Sequence, residues 1–547
     1  MLLVALAAAD ILSLALAHPW AAADGLADLF ALDDLGWGRA GIIATALIFL
    51  LLARALARGK RQAWLLSIGL VCFSSVAALM ERTSRPPLLV LLGLLFALLA
   101  LAPLFPARSD PRASQRGYIA LILGLVALVG HGTVHILIHI GKADILLLEP
   151  HGLLFVLRVA AYLLLSYGVV EVLRPVLRVR AVPATERERA FEVVRRYGRL
   201  SLAHFDLGPN LSYFWSESGF SFLAYRASHG IALMLGDPIG PREEQAPLLQ
   251  AFLAFCHKQD WQLAIYQASA QTLELFAREE IHAVKVGEEA IIDLAEFTLQ
   301  GKIGAPVRHS LARATRGGIS IHCWHGEELP DQALTGMKRV TSAWLAAHHT
   351  YSQMGFSMGR FPADWSPNLL TGAALGLDGA IQAFVTWTPL YAGDGWTLDN
   401  MRRTRDTVPG TMEYLIAASM EWAQARGYRY MSLSLAPLAG LSEELKELKA
   451  APSARWRISP SARLLQRSAA YLHRRGLLLG NYRSLYFFKQ KFQPAWEPRY
   501  LVVEDISTLP RVLIALAAVH GMSWRTLLYE AYAAMRRPKQ IQSPDAA

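Results

Sequence analysis

The 547-residue sequence predicts an N-terminal α-helical transmembrane bundle followed by two α/β units. Three observations carry that prediction. Six apolar stretches lie before residue 175, most approaching the roughly 20 residues a helix needs to span hydrocarbon. The composition turns amphipathic near residue 181. Beyond it, strand-like and helix-like segments alternate, and the alternation runs through twice. A mean hydropathy of +0.28 with 53% hydrophobic residues agrees with a membrane part.

The apolar stretches run from about 2–18, 41–57, 63–80, 86–104, 117–140 and 152–173, giving a membrane domain over 1–175. The first lacks the basic start of a signal peptide and reads as a span. Arginines and lysines gather after the second, fourth and sixth stretches: Arg54, Arg58, Lys60 and Arg61, then Arg108, Arg112 and Arg116, then Arg174, Arg178 and Arg180. The opposite 19–40 loop is acidic. Positive charge on alternate loops puts everything after residue 180 in the cytoplasm, so a multi-pass protein of the inner membrane is expected. In "GHGTVHILIHIG", His131, His135 and His139 recur every four residues on one helical face, with Glu149 and His151 nearby. They fit a metal or haem site, or, more plainly, a polar packing seam.

A first α/β unit is expected over 181–315. "ATERERAFEVVRRYG" reads as an amphipathic helix with Phe191, Val194 and Tyr197 on its stripe. "FSFLAYRAS" and "IALMLGD" read as neighbouring strands. "GDPIG" (236–240) is a structural turn into the helix "QAPLLQAFLAFCHKQ", and "WQLAIYQA" is the next strand. A second unit over 316–505 repeats the order with "GAIQAFVTWTPL", "GWTLDNMRR", a helix in "DTVPGTMEYLIAASMEWAQARG", and "YRYMSLSLAP". Residues 506–547 hold a helix and a disordered tail. The helix either packs on the domain or lies on the anionic inner leaflet.

The net charge of +10 points to an anionic partner: nucleic acid, anionic lipid or phosphate. Cys72, Cys256 and Cys323 fit neither a disulfide framework nor a zinc site. The soluble half has no metal-ligand set, Gly-x-Ser-x-Gly elbow or Walker loop, which excludes a nucleophilic hydrolase and an NTPase of those types. No cofactor or metal is expected.

The second unit resembles the acyltransferase fold of GCN5-related enzymes, whose strand–loop–helix step cradles the donor's phosphates. Coenzyme-A users have a glycine-rich loop there; "RRTRDTVPG" has cations and one glycine, so a donor of larger anionic bulk fits better. "LDNMRR…PGTMEYLI…W…GY…LAPLAGL" with "YFFKQKFQPAWEPRYLV" resembles the C-terminal domain of aminoacyl-phosphatidylglycerol synthases, which include the multiple peptide resistance factors. "FLAYRASHGIALMLGDPIGP", "VGEEAIIDLAEFTLQGKIGAPVRHSLARATRGG" and "GFSMGRF" carry the resemblance across about 185–505. It implies tandem acetyltransferase-like units on a membrane anchor. The implied reaction moves a lysyl or alanyl group from aminoacyl-tRNA to phosphatidylglycerol, lowering membrane negative charge and protecting against cationic peptides. About six spans are fewer than the flippase region of many members, which implies that flipping is absent or belongs to a separate flippase.

Asp399 and Arg402 match the family's functional Asp-x-x-Arg. Asp399 is expected to orient or deprotonate the acceptor hydroxyl, and Arg402 to hold a phosphate or the oxyanion. A buried Asp–Arg ion pair is the alternative. Three-residue spacing puts the two on opposite faces of a regular strand, so the strand must end or bend there. Arg403 and Arg405 read as solvated charges or as contacts to the tRNA acceptor end or a headgroup. Glu413 suits a helix's first turn or an amino group. Lys489 and Lys491 share a face if extended, with Phe488 and Phe492 interleaved, a pattern suited to the terminal adenosine. Arg308, Arg313 and Arg316 form a tRNA patch or a plain exposed helix, and Arg360 is a substrate-binding candidate. Two other readings remain open. One is a transferase acting on a cell-wall precursor; the other is a non-catalytic protein binding RNA or anionic lipid.

Overall fold

The computed structural model describes residues 38–80, 85–140, 150–176, 182–276, 281–326, 329–347, 353, 355–440 and 482–521. The expected first span and the 19–37 loop lie outside them, as do the tail after residue 521, Glu149, and the side chains of His139 and His151. The chain divides into two compact units, residues 1–178 with 254–261, and residues 179–253 with 262–547.

The first unit is helical: α1 (Gly38–Ala57), α2 (Arg61–Met80), α3 (Arg85–Ala100), α4 (Pro111–His139) and α5 (Pro150–Val172). Within α4 and α5, Pro111–Ile138 and Gly152–Val172 are long and apolar enough to cross a membrane. Asp110 caps α4 by accepting from the amides of Arg112 and Ala113. Gly117 and Gly168 let α4 and α5 approach: a Cβ on Gly117 would come within 2.8 Å of the Gly168 carbonyl. Ile122, Val129, Phe155 and Leu163 are exposed on these helices, as lipid-facing residues are. His131 is buried, its Nε2 accepting from Arg158 Nε at 3.4 Å, and its ring stacks near that of His135. Among the described side chains His131 thus makes polar contacts with Arg158 and His135. No metal-suited cluster of His, Cys, Asp or Glu occurs among the described residues.

The second unit opens with α6 (Ala184–Tyr197), which buries Ala190, Val193 and Val194 with Tyr197 packed beside them; of the expected stripe, Phe191 is the exposed member. Its centre is an eleven-stranded sheet ordered β1-β2-β3-β4-β11-β5-β10-β9-β8-β7-β6. The strands are β1 (Ser212–Trp215), β2 (Phe222–Ser228), β3 (Ile231–Leu235), β4 (Gln262–Ala268), β5 (His282–Asp293), β6 (Ser320–Trp324), β7 (Leu370–Leu375), β8 (Ile381–Leu390), β9 (Gly395–Arg403), β10 (Tyr430–Pro437) and β11 (Ala495–Val503). The order is a palindrome of roles. β3 pairs parallel with β4, joined by α7 (Arg242–Lys258); β9 pairs parallel with β10, joined by α11 (Thr411–Gln424). Between those pairs the halves exchange strands. β5 leaves the first half to pair with β10, and β11 leaves the second to pair with β4. The sheet therefore runs unbroken through both expected units, and residues 315 and 316 end the helix Ala305–Arg316.

The remaining helices are α8 (Ala270–Leu275), α9 (Ala305–Arg316), α10 (Asp331–Ala347), α12 (Tyr482–Gln490) and α13 (Leu509–Val519). α11 buries Leu415, Ile416 and Met420 against Trp387, Leu398 and Met431 of the sheet. α13 packs Val512, Ala515 and Leu516 against Ile231 and Leu233, so 509–519 is a domain helix. "YFFKQKF" does not extend. Residues through Gln490 form α12, because that turns Phe488 and Lys489 inward.

Candidate active site

β9 continues through Arg403, yet it meets the expectation of a bend. Thr386 of β8 pairs with Asn400 and Trp387 pairs with Leu398, which leaves Asp399 as the extra residue of a β-bulge. The bulge brings Asp399 beside Asn400 instead of opposite it. Asp399 Oδ1 accepts from the Gly359 amide at 2.7 Å, and Oδ2 accepts from Asn400 Nδ2 at 2.7 Å and Thr386 Oγ1 at 3.2 Å. A Cβ on Gly359 would lie 2.5 Å from Oδ2, so glycine is what lets the "GFSMGRF" segment donate here. Burial pushes the Asp399 pKa up to about 6, against the opposing bonds from Gly359, Thr386 and Asn400 and the charge of Arg402.

Arg402 is buried. Its guanidinium donates to Thr341 Oγ1 at 3.1 Å, Gln353 Oε1 at 2.7 Å and Asn400 Oδ1 at 2.6 Å, and lies 5.5 Å from the Trp344 ring centre. Three of its five N–H groups are thus engaged inside the protein, by Thr341, Gln353 and Asn400. Asp399 and Arg402 form no direct ion pair. Asn400 bridges the two, accepting from Arg402 and donating to Asp399. Burial pulls the Arg402 pKa down to about 10, so the cation persists at neutral pH.

Asp399 forms part of the wall of a cavity of about 690 Å³, within the range of small-molecule sites. Arg360 also lines it, held by Asp364 through Nε and NH2 at 2.9 Å each. Three residues unremarked in the sequence converge there from distant elements. Arg226 reaches in from β2, and its pKa is lowered by burial and by the nearby Arg360. His204 stacks near Tyr391, and burial pulls its pKa down to about 4, leaving a neutral imidazole. His520, just past α13, is 2.9 Å from Ser357 Oγ.

The other expected site residues lie elsewhere. Lys489 is buried, its Nζ donating to the carbonyls of Ser434 (3.0 Å) and Leu435 (2.7 Å) where β10 shifts register. Burial pulls its pKa down to about 7, with Glu289 opposing. It braces the sheet, which corrects its assignment to adenosine. Glu289 itself is held by Arg499 and Ser432; burial pushes it up, but those partners keep it below the usual range. Lys491 pairs with Glu413 at 2.8 Å, and the lining of the Asp399 cavity includes neither. Gly410 has φ +92°, and a Cβ there would meet the Ser310 carbonyl at 2.4 Å, which seats the α11 start on α9. Arg308 donates to the carbonyls of Leu299 and Gly301. Arg313, Arg316, Arg403 and Arg405 are exposed, and Gly317 abuts Val408, so the end of α9 adjoins the 404–410 turn.

The phosphatidylglycerol lysyltransferase C-terminal family matches residues 191–503, which holds the whole bulge and all eleven strands. The chain belongs to that family. Lysylphosphatidylglycerol biosynthesis bifunctional protein LysX of Mycolicibacterium vanbaalenii is 28% identical over 523 residues, covering 87% of this chain and 45% of its own. LysX of Mycobacterium avium is 29% identical over 329 residues, covering 59% of this chain and 26% of its own. The chain thus spans less than half the length of these relatives. The crystal structure of a DUF2156 C-terminal domain from Agrobacterium fabrum superposes with a TM-score of 0.51 at 26% identity, covering 62% of this chain and 99% of that one. L-PGS from Bacillus licheniformis shares the fold, with a TM-score of 0.50 at 23% identity, covering 61% of this chain and 96% of that one.

Proposed function

We propose that this family member is a membrane-bound aminoacyltransferase that moves an aminoacyl group, lysyl or alanyl, from aminoacyl-tRNA to the glycerol hydroxyl of phosphatidylglycerol. The observation that carries the reading is Asp399: a carboxylate with a pKa near 6, on the wall of a substrate-sized cavity, inside the family match. A base of that strength is ionised at neutral pH and stronger than an ordinary aspartate.

In the proposed step Asp399 takes the proton of the glycerol hydroxyl. The alkoxide oxygen attacks the ester carbonyl of the aminoacyl-tRNA. The ribose oxygen leaves and receives that proton, so one ester replaces another. Asn400 and Arg402 act as positioning residues, fixing which oxygen of Asp399 faces the cavity. Arg226 and Arg360 supply the charge for the lipid phosphate. The exposed Arg313, Arg316, Arg403 and Arg405 offer a basic surface to the tRNA, whose attraction is long-ranged and salt-sensitive. The two exchanged halves correspond to tandem GCN5-related acyltransferase units. The helical unit anchors them as a multi-pass protein of the inner membrane, with the catalytic unit on the cytoplasmic side. Transfer of an amino acid lowers the membrane's negative charge.

The test is mass spectrometry of lipids from a host that lacks aminoacyl lipids but supplies the charged tRNA. Wild-type chain should yield a phosphatidylglycerol species heavier by one amino-acid residue, absent with Asp399→Ala. A well-inserted wild-type protein that yields no such lipid would refute the reading and favour a peptide acceptor or a binding role.

A further inference from the structure

A second cavity, of about 590 Å³, opens beside the turn from β3 to α7 in the first half of the sheet. Its floor is apolar, formed by the buried Leu202, Leu235 and Ile239. Three carboxyl groups line it, those of Asp206, Asp237 and Glu243. Asp237 accepts from the amide and hydroxyl of Ser269 at 2.9 and 2.5 Å. Asp206, in the single turn Phe205–Leu207, is 3% exposed, and its Oδ1 has no hydrogen-bond partner.

A buried carboxyl oxygen with no donor is costly, and more so when the group is charged. Burial, aided by the charge of Asp237, raises the Asp206 pKa well above its usual range, as expected of a group that lacks a cationic partner. The position would suit an anion on topology alone, since a helix N-terminus opens toward it. The side chains reverse that preference. The first turn of α7 carries Glu243 and Glu244, and the three carboxyls of the cavity, Glu243 among them, repel a phosphate. Arg199 and Arg242 stand on the rim, exposed and screened by water.

We infer that this cavity binds an organic amine: a primary ammonium donating to Asp206, with its aliphatic stem on the apolar floor. The volume suits a molecule of amino-acid or diamine size. The same chemistry is offered by a free basic amino acid or diamine and by the headgroup of an aminoacyl lipid. The site is separate from the Asp399 cavity and does not depend on the function proposed there.

The experiment is titration calorimetry of the purified full chain in detergent, with cadaverine as the probe and 1-pentanol as its uncharged counterpart. Cadaverine should bind saturably with one site per chain, and pentanol should not. Asp206→Asn should weaken cadaverine at least about tenfold, the loss of roughly one charge-assisted hydrogen bond. Gln271→Lys should do the same by placing a competing ammonium at the exposed mouth, and it disturbs no packing if Asp206→Asn fails to fold. Displacement by lysine ethyl ester alone assigns the site to free amines; displacement by micellar lysylphosphatidylglycerol assigns it to the lipid headgroup. No saturable binding, equal binding of pentanol, or undiminished binding in Gln271→Lys would overturn the inference.

Discussion

In the first half of the sheet β3 enters α7 through Gly236–Gly240, and every side chain of that strand is apolar and buried. In the second half β9 enters α11 through 404–410, and the equivalent strand carries Asp399, Asn400 and Arg402 around a bulge. Both halves use the same parallel strand–helix–strand step. The difference is one extra residue opposite β8 and the polar groups it re-aims. Backbone plan alone therefore does not aim polar groups at a cavity; a local irregularity with a buried, hydrogen-bonded support does. The first half contributes Arg226 and the segment bearing His204 to the reactive cavity, but no bulge of its own on β3.

The sharpest way to break this comparison is to remove the base. Asp399→Asn should lower the rate of aminoacyl transfer by about 10²–10⁴-fold, read in a lipid-transfer assay, with tRNA binding retained. Asn400→Ala should cost about 10–100-fold, because it leaves the carboxylate of Asp399 and the cation of Arg402 without their shared partner. It also removes a bond that lowers the Asp399 pKa, so the acid limb of the pH profile should move upward.

In the wild type that limb should fall near pH 6. The base form is needed, and a pKa raised to about 6 means the base is lost as pH falls through that value. The linked effect on stability has the opposite sense. The folded chain binds this proton more tightly than the unfolded one. Asp399 therefore opposes folding fully above pH 6, and that opposition is relieved as pH falls toward the ordinary aspartate range. A pH-rate profile and thermal melts across pH 4–8 check both signs.

Arg226→Gln tests whether the first half supplies charge only. KM for the anionic acceptor should rise about 5–10-fold while kcat holds. The smallest effect belongs to Ser221→Ala, also in the first half. It removes the 2.5 Å bond to Glu244 near the start of α7 and should lower the melting temperature slightly, with transfer unchanged.

The run β2, β3, α7, β4 in the first half and β8, β9, α11, β10 in the second was legible because alternation and turn residues are local signals, whereas β1, β5, β6, β7 and β11 were not read as strands. The irregularity at Asp399 was legible too, since a three-residue spacing cannot share one face of a regular strand. The exchange of β5 and β11 was not legible. It depends on pairing between residues about 200 apart, such as Ala495 with Ile291. Lys489 misled for a related reason: its amine finds its carbonyls on β10, and only the fold brings them together. Arg226, His204 and His520 each looked ordinary in their own segments. Asn400 had a weak signal, an amide beside the aspartate, that becomes meaningful only once the bulge places both on one side.

The central claim is that the bulged carboxylate of the second half performs the transfer. Its most direct test is the initial rate at which purified full-length chain moves a labelled aminoacyl group from tRNA into phosphatidylglycerol vesicles, for wild type and Asp399→Asn, with tRNA affinity measured in parallel. The account predicts rapid labelling by wild type, a loss of at least about a hundredfold in the variant, and equal tRNA affinity. Equal rates in the two proteins would contradict it.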